Sequence, residues 1–343
     1  MTALQSLVGF LPLISLVFCG CLEREITTQV NRDGSLLRSE AVSGDSAEVV
    51  SSGFISPVDS TWIVTLERPD ERSFERKAAK HFADPDELSA ATRDTLWNTL
   101  PVRAQIERRF IWFYTDITYR ERYLKWNPFG LVPLAEYVST SDLARSMDFA
   151  TSGHKPDKED SLARERMGKK WTEWMFRDMF EAYYLELIKG VRLLNDPSFT
   201  PAAVTGHKEE IYRQCGKWWA STTSMDTIGI AVQSILKNPK TGEAIRANAR
   251  GFALHRTKLS LVSSVMGKLK QVNIEMPGVY IDSNAPNVDR NRGSWKSVSE
   301  MSYAADYELW ITSRVVNWWV VLLTVLVIMV GISLLGVTHS RSQ

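Results

Sequence analysis

The hydrophobic positions of this chain form an apolar run at each end and periodic patterns between them. The C-terminal run, Val315 to Val337, contains no charged residue, and Trp318 and Trp319 lie near its start. As a helix rising about 1.5 Å per residue, it would be roughly 34 Å long, enough to cross a hydrocarbon core of about 30 Å. Tryptophan rings favour the boundary between water and lipid. The run therefore predicts a transmembrane helix at 315–337, followed by a short tail at 338–343.

The N-terminal run, Leu7 to Phe18, has the length of the hydrophobic region of a signal peptide. It leads into Gly20-Cys21, and this junction resembles the lipobox of bacterial lipoproteins. We therefore expect removal of residues 1–20 as a signal peptide and lipidation of Cys21. An ordinary cleaved signal and an uncleaved N-terminal anchor are the alternatives. An exported N-terminus would place the body on the periplasmic side of the inner membrane, with the C-terminus in the cytoplasm.

Alternating patterns predict strands in the region 21–133. Residues Ile26, Thr28 and Val30 alternate with polar neighbours, and the pattern resumes at Leu36 after Asp33-Gly34, which is typical of a hairpin. A short strand is expected at Thr61 to Leu66. From Arg103 to Leu124 both alternating faces are largely apolar or aromatic around the middle, which predicts one long central strand, broken near Asp116.

Several aromatic side chains lie along this predicted central strand. Trp112, Tyr114, Tyr119 and Tyr123 are the candidate binding surface, with the hydroxyls of Tyr119 and Tyr123 facing a groove. Packing of these residues in the core and at its rim is the interpretation that we favour, because large aromatic side chains fill protein interiors as well as interfaces.

Helical spacing dominates the region 134–268, and strands return at 269–314. Large apolar residues recur every three or four positions from Met167 to Val191. Val272, Ile274 and Met276 then alternate before the Pro277-Gly278 turn. The predicted fold class is α+β, with the terminal strands forming one antiparallel sheet, a mainly helical middle, and a single C-terminal transmembrane helix.

Composition excludes several classes of function. The chain has 343 residues, 24% of them charged, and a net charge of +1, so its charge gives no reason to expect a nucleic-acid partner. The sequence contains no HExxH, GxSxG, P-loop, GxGxxG or CxxC motif, and its three cysteines are too few for a zinc site of several thiolates. We therefore assign no catalytic, cofactor-binding or metal residues, and we expect no cofactor.

Two segments carry a resemblance to known families. The run RRFIWFYTDITYRERY with PLAEYVSTSD resembles uncharacterised lipoproteins of the Bacteroidota, and the ending from Met276 to Arg314 is similar to membrane-anchored lipoproteins of the LppM type. The resemblance implies a membrane-anchored envelope protein whose α+β body binds a lipid or a partner protein. It supplies no catalytic residues. The alternative function is an envelope hydrolase with an acid/base site dispersed along the chain.

Overall fold

The structure is a computed structural model, and it describes part of the chain. The described residues are 22–51, 53–68, 73–93, 100–139, 141–143, 145, 158–219, 226–265, 269–296 and 298–341. The predicted signal peptide and Cys21 lie outside these residues.

Eleven strands within the described residues form two sheets. The strands are β1 (Glu23–Val30), β2 (Leu36–Gly44), β3 (Ile63–Glu67), β4 (Phe74–Phe82), β5 (Val102–Ile111), β6 (Tyr114–Tyr123), β7 (Leu269–Glu275), β8 (Val279–Ser283), β9 (Asn287–Asp289), β10 (Arg292–Trp295) and β11 (Tyr307–Val316). The larger sheet has seven strands in the order β3-β4-β2-β1-β7-β10-β9, and the smaller has four in the order β5-β6-β11-β8.

The predicted hairpin is confirmed and forms the middle of the larger sheet. Strands β1 and β2 pair antiparallel from Glu23 with Ser43 to Val30 with Leu36. Asp33 accepts hydrogen bonds from the backbone N–H and the hydroxyl of Ser35, at 3.0 and 2.7 Å, and Gly34 has a φ of 94°. This left-handed conformation costs glycine little, so the Asp-Gly pair fixes the turn and with it the register.

The structure describes ten α-helices. They are α1 (Ser46–Ser51), α2 (Pro85–Ala91), α3 (Lys158–Leu194), α4 (Pro201–Gly206), α5 (Lys208–Trp219), α6 (Asp226–Leu236), α7 (Thr241–Ala247), α8 (Ala249–Val265), α9 (Val298–Ala304) and α10 (Trp318–Arg341). Asp84 caps α2 by accepting a hydrogen bond from the Glu87 N–H, and Pro85 begins the helix.

The long helix α3 joins two hydrophobic cores. It contributes Trp171, Trp174 and Met179 to the core between the two sheets. It contributes Phe180 and Leu187, among others, to a separate core among the helices. Because one rigid helix belongs to both cores, it fixes the position of the helical layer relative to the sheets.

Buried Asp178 connects α3 to the loop that follows β6. Its Oδ1 accepts hydrogen bonds from the backbone N–H groups of Leu131 and Val132, at 2.6 and 2.7 Å. Its Oδ2 accepts from the Gly130 N–H at 3.0 Å and from Asn127 Nδ2 at 2.8 Å. Four donors thus stabilise one carboxylate that has no contact with solvent.

The predicted arrangement of strands is wrong, although the chain is α+β. The C-terminal strands divide between two sheets, since β7, β9 and β10 join the larger and β8 and β11 the smaller. The larger sheet is mixed, because β1 and β7 run parallel. The predicted single central strand is a hairpin: the chain turns at Trp112, which has a φ of 46°, and β5 and β6 pair from Ile111 with Tyr114 onward.

The predicted transmembrane helix and the inner-membrane location based on it are also wrong. Val315 and Val316 belong to strand β11, where Val315 is buried and pairs with Thr115, so helix α10 begins only at Trp318. The side chains of α10 are described as far as Leu334. Across the described residues, no helix combines the length and the apolar character that crossing a bilayer requires.

We predict that Asp178→Ala lowers the free energy of unfolding by about 3–5 kcal/mol, because four donors lose a charged acceptor inside the protein. Asp178→Asn should cost less, since one oxygen acceptor remains. Urea unfolding measures both changes, and hydrogen exchange should show faster exchange at the amides of 130–132. The control is Arg192→Ala on the exposed face of α3. Equal stability of Asp178→Ala and this control would contradict the prediction.

A buried histidine in α8 makes the stability dependent on pH. His255 packs against the rings of Phe129 and Tyr183, with centroid distances of 5.1 and 5.6 Å. Burial, together with the charge of Lys258, lowers the pKa of His255 to about 4. The unfolded chain takes up this proton near pH 6.5, so the contribution to stability is complete above that pH and is lost as the pH falls towards 4.

We predict that His255→Phe removes a pH-dependent component of about 3 kcal/mol between pH 7 and pH 4. Urea unfolding of the variant and the wild type at both pH values measures the difference. Exposed His81→Phe is the matched control and should leave the pH dependence as in the wild type. Parallel stability curves for the wild type and His255→Phe would show that the imidazole is protonated in the folded protein.

Candidate functional site

Charged residues occupy core positions on the inner face of the larger sheet. In β1, Arg24 lies on the same buried face as Ile26. In β2, Arg38 and Glu40 lie on the same buried face as Leu36. All of these side chains are buried. The alternation that predicts the hairpin therefore also places these charges inside the protein.

Arg38 forms an ion pair with Glu121 across the space between the two sheets. Its Nη1 donates to Glu121 Oε1 and, at 2.9 Å, to Thr28 Oγ1, while its Nη2 donates to the Tyr123 hydroxyl at 3.3 Å. Burial by itself would lower the pKa of Arg38, but the charge of Glu121 and the nearby tyrosines raise it above its ordinary value. Burial, reinforced by Glu121, raises the pKa of Tyr123. Arg38 therefore keeps its charge, and Tyr123 remains neutral.

Glu40 holds the loop that leads away from α1. Its Oε1 accepts from the Ile55 N–H at 2.6 Å and its Oε2 from the Ser56 N–H at 2.7 Å. Arg24 Nη2 donates to the Gly53 carbonyl oxygen at 2.7 Å. Burial raises the pKa of Glu40 even though the two backbone donors favour its charged form. These buried charges are engaged with the protein's own groups, which indicates a structural role.

The structure separates the four predicted binding residues into two pairs. Tyr119 and Tyr123 are fully buried in the core between the sheets. Trp112 and Tyr114 are exposed at the turn of the β5–β6 hairpin. Trp112 and Tyr114 therefore face solvent, while Tyr119 and Tyr123 pack in the interior. The predicted lipidation site, Cys21, lies outside the described residues.

The exposed pair belongs to a larger surface, which we call the apolar rim. It consists of Phe110, Trp112, Tyr114, Trp318 and Trp319. Their exposed fractions are 54% for Phe110, 60% for Trp112, 43% for Tyr114, 62% for Trp318 and 63% for Trp319. The rings of Phe110 and Trp319 stack with centroids 6.2 Å apart, so the hairpin and the start of α10 form one surface.

Asn317 holds the two parts of the apolar rim together. Its backbone N–H donates to the Phe113 carbonyl oxygen at 2.7 Å, and its Nδ2 donates to the Trp112 carbonyl oxygen at 2.9 Å. Its Oδ1 accepts from the Thr115 hydroxyl at 3.0 Å. The backbone N–H groups of Val320 and Val321 both donate to its carbonyl oxygen, so the residue that holds the hairpin also begins α10.

The apolar surface continues along α10. Exposed large side chains include Leu322, Leu323, Val325, Leu326, Val327, Ile328, Met329, Val330, Ile332 and Leu334. The two hydroxyl groups of this stretch are satisfied within the helix, because Thr324 donates to the Val320 carbonyl oxygen and Ser333 to the Met329 carbonyl oxygen. The exposed surface of α10 therefore offers apolar contact and no unsatisfied hydroxyl among its described side chains.

Cationic side chains lie beside the apolar rim. Arg314 donates to both oxygens of Asp116, at 2.7 and 3.0 Å, and its guanidinium carbon lies 5.6 Å from the centre of the Tyr114 ring. The hydrogen bonds from Arg314 lower the pKa of Asp116. Arg109 is opposite Asp116 in the β5–β6 register. Two guanidinium groups and one carboxylate leave this border with a local positive charge.

The thiol of Cys215 is kept protonated by its surroundings. Cys215 is buried in the helical core, and burial raises the pKa of its thiol to about 12, which fits a structural role. Among the described residues there is no cluster of His, Cys, Asp and Glu that could hold a metal ion.

Sequence reasoning missed Phe110, Trp318, Trp319 and Asn317 as members of one site. Phe110 lies next to the predicted surface residues, and the two tryptophans were expected to mark the start of a transmembrane helix. The available signal was the density of aromatic residues at Phe110–Tyr114 and at Trp318–Trp319. Only the pairing of β6 with β11 brings these segments together.

We predict that Arg38→Met and Glu121→Leu each lower the free energy of unfolding by about 3–5 kcal/mol, because each leaves an unpaired buried charge. The double variant should recover most of this loss, since it removes both charges. Urea unfolding of the full cycle measures the coupling. Lys270→Met, which breaks a half-exposed pair with Glu23, is the control and should change stability little. Additive losses in the double variant would contradict a coupled pair.

Comparison with known proteins gives one weak likeness. No family model and no curated protein matches the sequence. The solved NMR structure of the folded domain of LppM from Mycobacterium tuberculosis is similar over 87% of this chain and 91% of that chain, with 7% sequence identity and a TM-score of 0.27. At that TM-score the likeness carries no argument about fold or function. The expected resemblance to Bacteroidota lipoproteins has no counterpart in these comparisons.

Proposed function

We propose that this protein is a binding protein that contacts a lipid surface through its apolar rim and the adjoining part of α10. The observation that carries the proposal is the continuous exposed apolar surface from Trp112 across Trp319 to the side chains of α10. Exposed apolar patches of this extent mark interaction sites in folded proteins.

The chemistry of the surface favours lipid over a protein partner. A protein interface contains about one hydrogen bond per 100–200 Å² of buried area, which requires polar groups that point outward. The hydroxyls of Thr324 and Ser333 instead donate to their own helix. Groups satisfied in this way suit a hydrocarbon phase, which offers no hydrogen bonds.

The composition of the apolar rim also fits the boundary between water and lipid. Tryptophan and tyrosine have an apolar ring and one polar atom, and they are enriched at that boundary. Arg109 and Arg314 border the rim on the side of the sheet. Cations in this position attract anionic headgroups, at about 1 kcal/mol for each basic residue close to the surface. Lipidation of Cys21, which remains a prediction, would supply a second contact with lipid. A single acyl chain binds a membrane only weakly by itself.

Brominated lipids test this proposal directly, because they quench tryptophan fluorescence only on close approach. The full-length chain is mixed with vesicles of brominated phosphatidylcholine and phosphatidylglycerol. We expect quenching in the wild type and loss of most of it in the triple variant Trp112→Phe, Trp318→Phe, Trp319→Phe, which keeps the surface apolar. Buried residues such as Trp126, Trp174 and Trp295 should account for the fluorescence that remains.

Trp310→Phe is the matched control, because Trp310 lies on the same sheet beside Arg120 and outside the apolar rim. This variant should be quenched as strongly as the wild type. The proposal fails if the wild type is not quenched at all, or if the triple variant is quenched to the same fraction as the wild type. Absence of vesicle binding would favour a protein partner for the same surface.

A further inference from the structure

A cavity of about 160 Å³, open to solvent on one side, lies in the helical layer among α3, α6, α7 and α8. Its apolar lining includes Tyr183, Ile230, Ile245 and Phe252, and its polar lining includes Gln233 and Arg256. It belongs to the helical core and shares no residue with the apolar rim. The function proposed above does not use it.

We propose that this cavity binds a small monocarboxylic acid with a compact apolar group, the carboxylate facing Arg256. The volume sets the size of the ligand, because an apolar protein cavity of about 150 Å³ accommodates one benzene molecule. The proposal is independent of the lipid-binding function.

The buried wall of the cavity is rigid and aromatic. Tyr183 and Phe252 are both almost fully buried, and their ring centroids lie 5.0 Å apart at an angle of 54°. These rings belong to α3 and α8, two helices that contribute to the same core. A preformed aromatic wall of this kind binds a flat or branched apolar group without the free-energy cost of rearranging the protein.

Gly229 keeps the cavity open. A Cβ atom at this position would lie 3.2 Å from Ile245 Cδ1 and 4.0 Å from the Tyr183 hydroxyl oxygen, and both of these residues line the cavity. The absence of a side chain at 229 therefore preserves space between helices α6 and α7.

Arg256 gives the cavity its charge. The side chain is exposed, and no carboxylate among the residues that the structure describes forms an ion pair with it. A planar guanidinium donates two parallel hydrogen bonds to a carboxylate, which is a geometry that an alcohol or an amide does not match. An apolar wall with the Arg256 guanidinium at its edge favours a monocarboxylate over a neutral molecule of equal size.

Titration calorimetry with benzoate as the probe, and benzyl alcohol as its neutral analogue, tests the proposal on the full-length protein. We expect the wild type to bind benzoate about two- to fivefold more tightly than benzyl alcohol, since an ion pair with an exposed guanidinium contributes a factor of that order. Arg256→Gln should lose this preference. Arg250→Gln, on the exposed face of the same helix, should keep it.

A second variant tests the cavity separately from the charge. Gly229→Ala should weaken benzoate binding several-fold by occupying the space beside Ile245, and far-UV circular dichroism confirms that each variant is folded. Three results would each overturn the proposal: no heat of binding with benzoate, equal affinities for benzoate and benzyl alcohol in the wild type, or unchanged benzoate affinity in both Arg256→Gln and Gly229→Ala.

Discussion

The ion pair between Arg38 and Glu121 is the constraint on which the arrangement of the two sheets depends. Each residue comes from a different sheet, and each is removed from water. An unpaired charge at this depth would be strongly destabilising, so only a narrow range of relative positions of the sheets is acceptable. Thr28 and Tyr123 accept further hydrogen bonds from Arg38 and narrow that range further. The pair thus contributes specificity of packing more than net stability.

The position of the apolar rim follows from this packing. The smaller sheet extends past the core, so the last residues of β5 and the turn after it are exposed. Strand β11 runs beside β6 to the same end, and α10 therefore starts next to the hairpin turn. Asn317 fixes this contact with hydrogen bonds to both segments. Trp112 and Trp319 share a surface because two strands of the same sheet end at the same level.

Helix α3 has a comparable role for the cavity. The part of α3 near Trp174 packs on the sheets, while the part near Tyr183 packs on α6, α7 and α8. Asp178 lies between these two parts and connects the helix to the loop at 130–132. The lipid-binding surface and the carboxylate-binding cavity that we propose therefore lie on different layers of one structure, joined by a single helix.

Local elements whose signal lies within a short segment could be predicted from the sequence. The hairpin around Asp33-Gly34 and the helical spacing from Met167 to Val191 each depend on neighbouring residues, and each was predicted. Strand β4 was missed, since its charged residues mask the alternation and its pairing with β2 is not local.

The pairing of segments that are distant in the sequence could not be predicted, because it depends on the tertiary structure. The one expected central strand is a hairpin, and the C-terminal strands are divided between two sheets. Val315 and Val316 belong to β11 and not to the predicted transmembrane helix. The tertiary structure also separates Tyr119 and Tyr123 from Trp112 and Tyr114. A periodic pattern specifies which face of a strand is buried. How far the strand extends beyond the packed core depends on the segments that pair with it and pack on it. For this reason Tyr119 and Tyr123 are buried, while Trp112, nearer the end of the hairpin, is exposed.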